Sequence, residues 1–157
     1  MSKTWPFEVR PSQVHGSGVF AIQRIRKGSR IIEYTGERIK SDEADARYAD
    51  DQVEHPLVLL FTIDKNTFID ATVGGNDSRF INHSCQPNCE AVNDRGRIFI
   101  QSVRTIEPDE ELNYDYNLEL EPGDDQDNGR FLCLCGTPKC RGTMLSRESM
   151  KKRKSKS

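Results

Sequence analysis

The chain has 157 residues, 34% apolar and 31% charged, with a formal net charge of -2 at pH 7. That length suits one domain with one real core and excludes two well-filled ones, and the low apolar fraction assigns much of the chain to surface, loop or tail. No apolar run approaches the length that spans a bilayer and Met1–Phe7 lacks the apolar stretch of a secretory signal, so the expectation is no membrane partner and a reducing, intracellular setting in which five cysteines serve metal binding or chemistry rather than disulfides.

Phe7 to Arg10 reads as a first strand. His15-Gly16-Ser17-Gly18 follows, where two glycines flanking a serine let backbone approach a ligand closely or simply turn into a strand. No third glycine or opening helix completes a dinucleotide fingerprint. Arg30 to Gly36 is rich in β-branched residues and predicts a strand. Ser41 caps a short helix running to about Ala49, with Asp42 and Glu43 in its first turn. His55-Pro56 breaks the chain, Leu57 to Ile63 predicts a buried strand, and Phe68-Ile69 resumes β character after the Asp64-Lys65-Asn66 turn.

Thr72 to Ser78 is turn-rich and leads into the densest chemistry of the chain, Arg79-Phe80-Ile81-Asn82-His83-Ser84-Cys85-Gln86-Pro87-Asn88-Cys89. A cation, amides, an imidazole, a hydroxyl and two thiols surround a Phe-Ile anchor, and Gln86-Pro87-Asn88 ends any regular element. Cys89–Asn93 and Arg97–Val103 flank Asp94-Arg95-Gly96 and predict a hairpin, with Ile98 and Ile100 on one face and Arg97 and Phe99 on the other. A turn at Glu107–Glu110 precedes Glu111-Leu112-Asn113-Tyr114-Asp115-Tyr116. Glu107 to Asp127 holds ten acidic residues and no basic one, and Asn117 to Asn128 predicts a mobile acidic loop. Arg141 to Ser157 holds seven basic residues and one acidic one, and Ser146–Ser157 reads as a disordered basic tail. Short strands, many turns and one small helix make a mainly β domain without internal repeats.

Cys133-Leu134-Cys135-Gly136-Thr137-Pro138-Lys139-Cys140 puts three thiols within eight residues, with a Gly-Thr-Pro turn that folds them toward one point. Structural zinc takes four ligands in a tetrahedron, so Cys85 or Cys89 must close the shell; otherwise the three thiols are inert. A closed shell would staple the segment after the acidic loop onto the Arg79–Cys89 crossing.

These motifs, in this order from about Phe7 to Leu145, resemble the SET-domain protein lysine methyltransferases, in a compact form of SET domain plus post-SET segment. The resemblance rests on His15-Gly16-Ser17-Gly18, Tyr34-Thr35-Gly36-Glu37, Arg79 to Cys85, Glu111 to Tyr116 and the Cys-x-Cys-x4-Cys run. It implies small curved β-sheets in which the Asn-His-Ser-Cys segment threads beside the Tyr-Asp-Tyr segment as a pseudoknot, a rare exception to the no-threading rule. It divides the chain into a SET domain at 5–116, an acidic linker at 117–130, a post-SET segment at 131–145 and a tail at 146–157. It makes Cys85, Cys133, Cys135 and Cys140 the ligands of one structural zinc ion and leaves Cys89 as a small buried residue.

The implied reaction moves a methyl group from S-adenosylmethionine to a lysine amine, which must be neutral although free lysine titrates near a pKa of about 10.4. Desolvation in an aromatic channel and the neighbouring sulfonium lower that value and align the amine. The resemblance makes Tyr116 the catalytic tyrosine, orienting the amine without removing its proton, and places Tyr34 and Tyr114 along the lysine channel. Asn82 and His83 would hold the methionine end of the cofactor, with His15, Gly16, Ser17 and Gly18 opposite, Phe131 and Leu134 against the adenine, and Arg79 nearby. A tyrosine at 114 implies mainly mono- or dimethylation. The chain departs from the family pattern at Asn113, often threonine, and at Leu59-Leu60-Phe61, which lacks a cofactor-contacting hydroxyl; the insert between Glu37 and Phe68 is short.

The acidic stretch either attracts a basic substrate such as a histone-like tail or is a solvated loop. Lys151-Lys152-Arg153-Lys154 reads as an inert solubilising tail, with nucleic-acid binding, nuclear addressing and automethylation as alternatives. The expected location is the cytoplasm if the source is bacterial and the nucleus if it is eukaryotic or delivered to a host, with the chain acting as a monomer or homodimer. An active methyltransferase and a catalytically silent, zinc-stabilised binding module with the same fold remain as the two readings.

Overall fold

The computed structural model of the protein describes residues 5–14, 16–47, 60–118, 132–146 and 148–149. His15, His55, Leu57–Leu59, the end of the expected helix after Arg47, Phe131, most of the acidic linker and the Lys151–Lys154 run lie outside the described residues. In chain order the strands are β1 (Phe7–Pro11), β2 (Ser17–Ala21), β3 (Arg30–Tyr34), β4 (Glu37–Lys40), β5 (Leu60–Thr62), β6 (Thr67–Asp70), β7 (Asn82–His83), β8 (Cys89–Asp94), β9 (Arg97–Ser102) and β10 (Asn113–Tyr114). One helix, α1 (Ser41–Arg47), follows β4, and a 3-10 turn at Asp77–Phe80 precedes β7.

Among the described residues the strands form four small sheets. β1 and β2 make an antiparallel hairpin with Phe7 opposite Ala21. The order β3-β9-β8 builds the central sheet, and β4-β6-β5 builds a second, both antiparallel. β8 and β9 join through Arg95 (φ 55°) and Gly96 (φ 85°), two consecutive left-handed residues of the kind that match the twist of a tight hairpin. Ile98 and Ile100 are buried as the alternation requires. Phe99 on the other face lies 4.4 Å from the Arg30 guanidinium and 5.1 Å from that of Arg97. The register slips between Arg30 and Ile32, and this bulge turns the consecutive Ile31 and Ile32 both inward. They join Phe7, Val19, Ile25, Ile81, Ile100, Ile106, Leu112 and Tyr114 in the main core.

Two strands differ from their sequence reading. The run Arg30–Gly36 divides at Thr35-Gly36, because the chain there crosses the backbone of β6: a Cβ at Gly36 would lie 2.4 Å from the Asp70 carbonyl oxygen. The apolar run Leu57–Ile63 predicts a buried strand, yet its described part, β5, is the edge of its sheet among the described residues, and Leu60 and Phe61 are only half-buried. Cys89 is buried, as the resemblance implies, and burial pushes its thiol up to about 12, which makes it inert.

The feature that organises the rest is the parallel pairing of β7 with β10, Asn82 opposite Asn113 and His83 opposite Tyr114. Asn88 locks it. Its side chain donates to the Glu111 carbonyl at 2.9 Å and accepts from the Asn113 amide at 2.9 Å, while its own amide donates to the Asn113 side chain at 2.9 Å. Residues 132–146 then close over this crossing: Leu118 bridges Leu145, and Ser146 donates to the Leu118 carbonyl at 2.8 Å. Ser146 and Ser149, which the sequence assigns to the tail, are buried.

Asn88→Ala removes both side-chain hydrogen bonds and deprives the half-buried Asn113 amide of its Asn88 acceptor, while the Glu111 carbonyl keeps the Asn113 side chain at 3.3 Å; the change costs about 1–3 kcal/mol. Urea unfolding should show a lower midpoint at an unchanged slope, the midpoint shift multiplied by the slope giving that loss.

Candidate active site

Four aromatic rings from three separate stretches of chain converge at β10. Tyr34 at the end of β3 lies 5.3 Å from Phe61 on β5, Phe61 lies 6.4 Å from Tyr114, and Tyr114 lies 4.9 Å from Tyr116. Tyr34 is 2% exposed and Tyr114 4%, while Tyr116 is half-buried. The Tyr116 hydroxyl donates to the Ile81 carbonyl. Burial, then the neighbouring phenols, push the Tyr114 and Tyr116 hydroxyls above the usual range. At neutral pH both are therefore intact phenols that donate hydrogen bonds and cannot act as bases.

On the other side of the crossing a cleft of about 270 Å³ is lined by Asn82, His83, Glu111, Asn113, Cys135 and Thr137, among others. The Asn82 side-chain amide donates to the Ser17 carbonyl at 3.1 Å and to Glu111 Oε1 at 2.9 Å. The same carboxylate oxygen accepts from Ser12 Oγ at 2.8 Å. Glu111 accounts for Gly18, since a Cβ there would sit 2.2 Å from Glu111 Oε1. Close approach is needed as the sequence suggests, but what approaches is a carboxylate of the chain itself. Gly16 faces no such crowding; its φ of 46° lets the turn close through a 2.8 Å bond from the Ser12 amide to its carbonyl.

His83 links the cleft to the aromatic cluster. Burial lowers its pKa to about 4, against the opposing pull of Asp115, so the ring is neutral. Its Nδ1 accepts the Tyr116 amide at 3.0 Å, which leaves the proton on Nε2, 3.4 Å from Cys85 Sγ. Its ring meets that of Tyr116 edge-on at 5.3 Å.

The thiols of Cys85, Cys133, Cys135 and Cys140 all lie within 4.8 Å of one another. The Cys85–Cys133 separation is 3.6 Å, close to the roughly 3.8 Å edge of a tetrahedron with zinc–sulfur bonds of about 2.3 Å. Backbone amides point at the sulfurs: Arg141 at Cys85 (3.3 Å), Cys135 at Cys133 (3.4 Å) and Gly142 at Cys140 (3.4 Å). Thr137 Oγ1 lies 3.2 Å from Cys135 Sγ. Four inert thiols need no such donors, whereas thiolates gathered on a cation do.

The structure thus brings Gly16, Ser17, Gly18, Asn82, His83, Tyr114 and Tyr116 to one crossing, with Tyr34 beside it. Arg79 stands apart: it is exposed on the 3-10 turn, with its guanidinium 4.7 Å from the Phe80 ring. Leu134 is 61% exposed beside the thiol cluster. Glu111 and Phe61 take places that the sequence reading leaves without a role. For Glu111 the alternation is the available signal, since Leu112 and Tyr114 face the core and Glu111 and Asn113 must face the other way.

A SET-domain family model matches residues 16–117. Among curated proteins, the chain is 43% identical over 144 residues to a histone-lysine N-methyltransferase, H3 lysine-4 specific, of Neurospora crassa, an overlap of 87% of this chain and 11% of that protein. It is 44% identical to the protein of the same description from Saccharomyces cerevisiae, over 83% of this chain and 12% of that protein. The Candida albicans counterpart is 42% identical, over 87% and 13%. The chain therefore spans 11–13% of the length of these relatives. A family match across more than half of its residues, on top of a crossing that carries the same motifs, means that this chain belongs to the SET-domain family.

Proposed function

We propose that the protein transfers methyl groups from S-adenosylmethionine to the ε-amine of a lysine in a basic protein, a histone tail above all, and stops mainly at one or two methyl groups. The observation that carries this reading is the convergence of Tyr34, Phe61, Tyr114 and Tyr116 behind the strand pair whose opposite side forms the cleft. The description of the relatives as H3 lysine-4 specific supports the histone substrate and a site of action on chromatin.

Asn82 and His83 hold the methionine end of the cofactor, supported by the carbonyl of Ser17 and by Glu111. An amide, a neutral imidazole and a carboxylate suit a cationic, amino-acid-bearing nucleoside. Gly16 and Gly18 shape the strand beside them, and Leu134, with Phe131, covers the adenine on loading. His15 and Arg79 complete the cofactor assignment, Arg79 from its exposed turn. When bound, S-adenosylmethionine supplies a methyl group activated by a sulfonium.

Tyr34, Phe61 and Tyr114 strip water from the lysine side chain and so lower its pKa. Tyr116, anchored on the Ile81 carbonyl, orients the amine for in-line attack. Neither Tyr114 nor Tyr116 is a base, so solvent takes the lysine proton. Cys85, Cys133, Cys135 and Cys140 hold one zinc ion, which ties residues 132–146 to the crossing and supplies structure rather than chemistry.

Tyr116→Phe should lower kcat about a hundredfold while cofactor affinity stays near wild type, as single-turnover transfer of labelled methyl groups to a histone peptide would show. Tyr114→Phe removes a hydroxyl from a tight channel and should move the products toward trimethyllysine by mass spectrometry; a wild type that already trimethylates readily would refute this reading of Tyr114. Because the channel offers no base, kcat/KM should climb with pH toward the free-lysine value of about 10.4, where a plateau near pH 7 would instead reveal a protein base. Elemental analysis should find one zinc per chain, lost in Cys85→Ser and kept in Cys89→Ser.

A further inference from the structure

We propose that Asp115 and Arg141 act as one positioning unit that couples the cysteine cluster to the channel tyrosines; the role given to those tyrosines rests on the function proposed above. Asp115 sits between Tyr114 and Tyr116, and in extended chain its side chain faces away from theirs. There it meets Arg141 in a two-armed pair, Nη1 to Oδ2 at 2.9 Å and Nη2 to Oδ1 at 3.1 Å. The side chains are 11% and 23% exposed, so the pair is charge-assisted, geometrically specific and only weakly screened. Nη2 also donates to the Leu145 carbonyl at 3.2 Å.

Each end of this pair touches a different part of the site. Arg141 follows Cys140 directly, and its backbone amide donates to Cys85 Sγ at 3.3 Å. Asp115 Oδ1 lies 3.6 Å from His83 Nδ1, the atom that accepts the Tyr116 amide. Hydrogen bonds therefore join Cys85 to Asp115 through Arg141, and Asp115 is tied through the backbone to Tyr114 on one side and Tyr116 on the other. Arg141 Nε is buried and has no partner among the described residues. A guanidinium in that setting depends on the Asp115 fork, and removing the carboxylate would strand a nearly buried charge beside the thiols. Displacement at the cysteines reaches the aromatic cluster through this pair, and loss of Asp115 reaches the cysteines in turn, because coupling between sites is reciprocal.

The test uses the full chain loaded with zinc, comparing wild type with Asp115→Asn, Arg141→Met, Arg141→Lys and the Asp115→Asn/Arg141→Met double variant. One measurement follows zinc transfer to a chromophoric chelator; the other follows kcat, peptide KM and the ratio of mono-, di- and trimethylated product. Asp115→Asn alters no cysteine and no neighbour of one in sequence, yet should release zinc about tenfold faster, lower kcat about tenfold and shift the product ratio. Arg141→Lys keeps the charge without the fork; it should fall between wild type and Arg141→Met, and it serves if the harsher variants do not fold. The double variant should be no worse than the worse single one, as expected for residues that act as a unit. A wild-type release rate in Asp115→Asn, or effects of the two single changes that add in full, overturns the coupling. If wild type methylates no lysine, the proposed function fails, and zinc release still decides the coupling by itself.

Discussion

The structure depends on one short contact, the parallel pairing of Asn82-His83 with Asn113-Tyr114. Two residues per strand cannot hold two distant pieces of chain together through ladder bonds alone. The reinforcement comes from side chains: the Asn88–Asn113 exchange below the pair, and Glu111 gathering Ser12 and Asn82 beside it. Buried and half-buried polar groups of this kind rigidify when fully bonded and penalise every alternative arrangement when they are not. A crossing built from them has a single low-energy geometry, and a site proposed to align two reacting atoms needs that.

The crossing also separates two environments. Behind it the aromatic rings of Tyr34, Phe61, Tyr114 and Tyr116 form one cluster, with Tyr34 and Tyr114 buried and Phe61 and Tyr116 half-buried. In front of it lie the amide and carboxylate of Asn82 and Glu111, while His83, opposite Tyr114 in the pair, stands between the two environments. One strand pair feeds both sides because side chains alternate along extended chain. His83 joins the two, since a neutral ring that accepts from the Tyr116 amide must direct its remaining proton at Cys85. The cysteine cluster is thereby part of the site's frame and not a remote clasp.

Legibility followed the range of the interaction. The Cys89–Ser102 hairpin was legible because alternation and a turn specify it within a dozen residues. The three-thiol run was legible because spacing alone brings those side chains together, and the family resemblance singled out Cys85 over Cys89 as their partner. The edge position of β5 was not legible: a run of apolar residues reads the same whether one neighbour covers it or two. The reason for Gly18 was equally hidden. A glycine announces that something comes close, and only the fold identifies that neighbour as Glu111.

Sequence by itself determined the mainly β class, the family, and the residue types gathered at the crossing, because strand patterns, turn chemistry and motif spacing are local properties of the chain. Tertiary structure decided which side of the crossing each residue serves, the place of Phe61 among the tyrosines, the exposed position of Arg79, and the joining of Asp115 to Arg141 across 26 positions. Those outcomes rest on contacts between segments far apart in the chain, and the free energy of such a contact depends on burial and geometry that exist only once the segments have met.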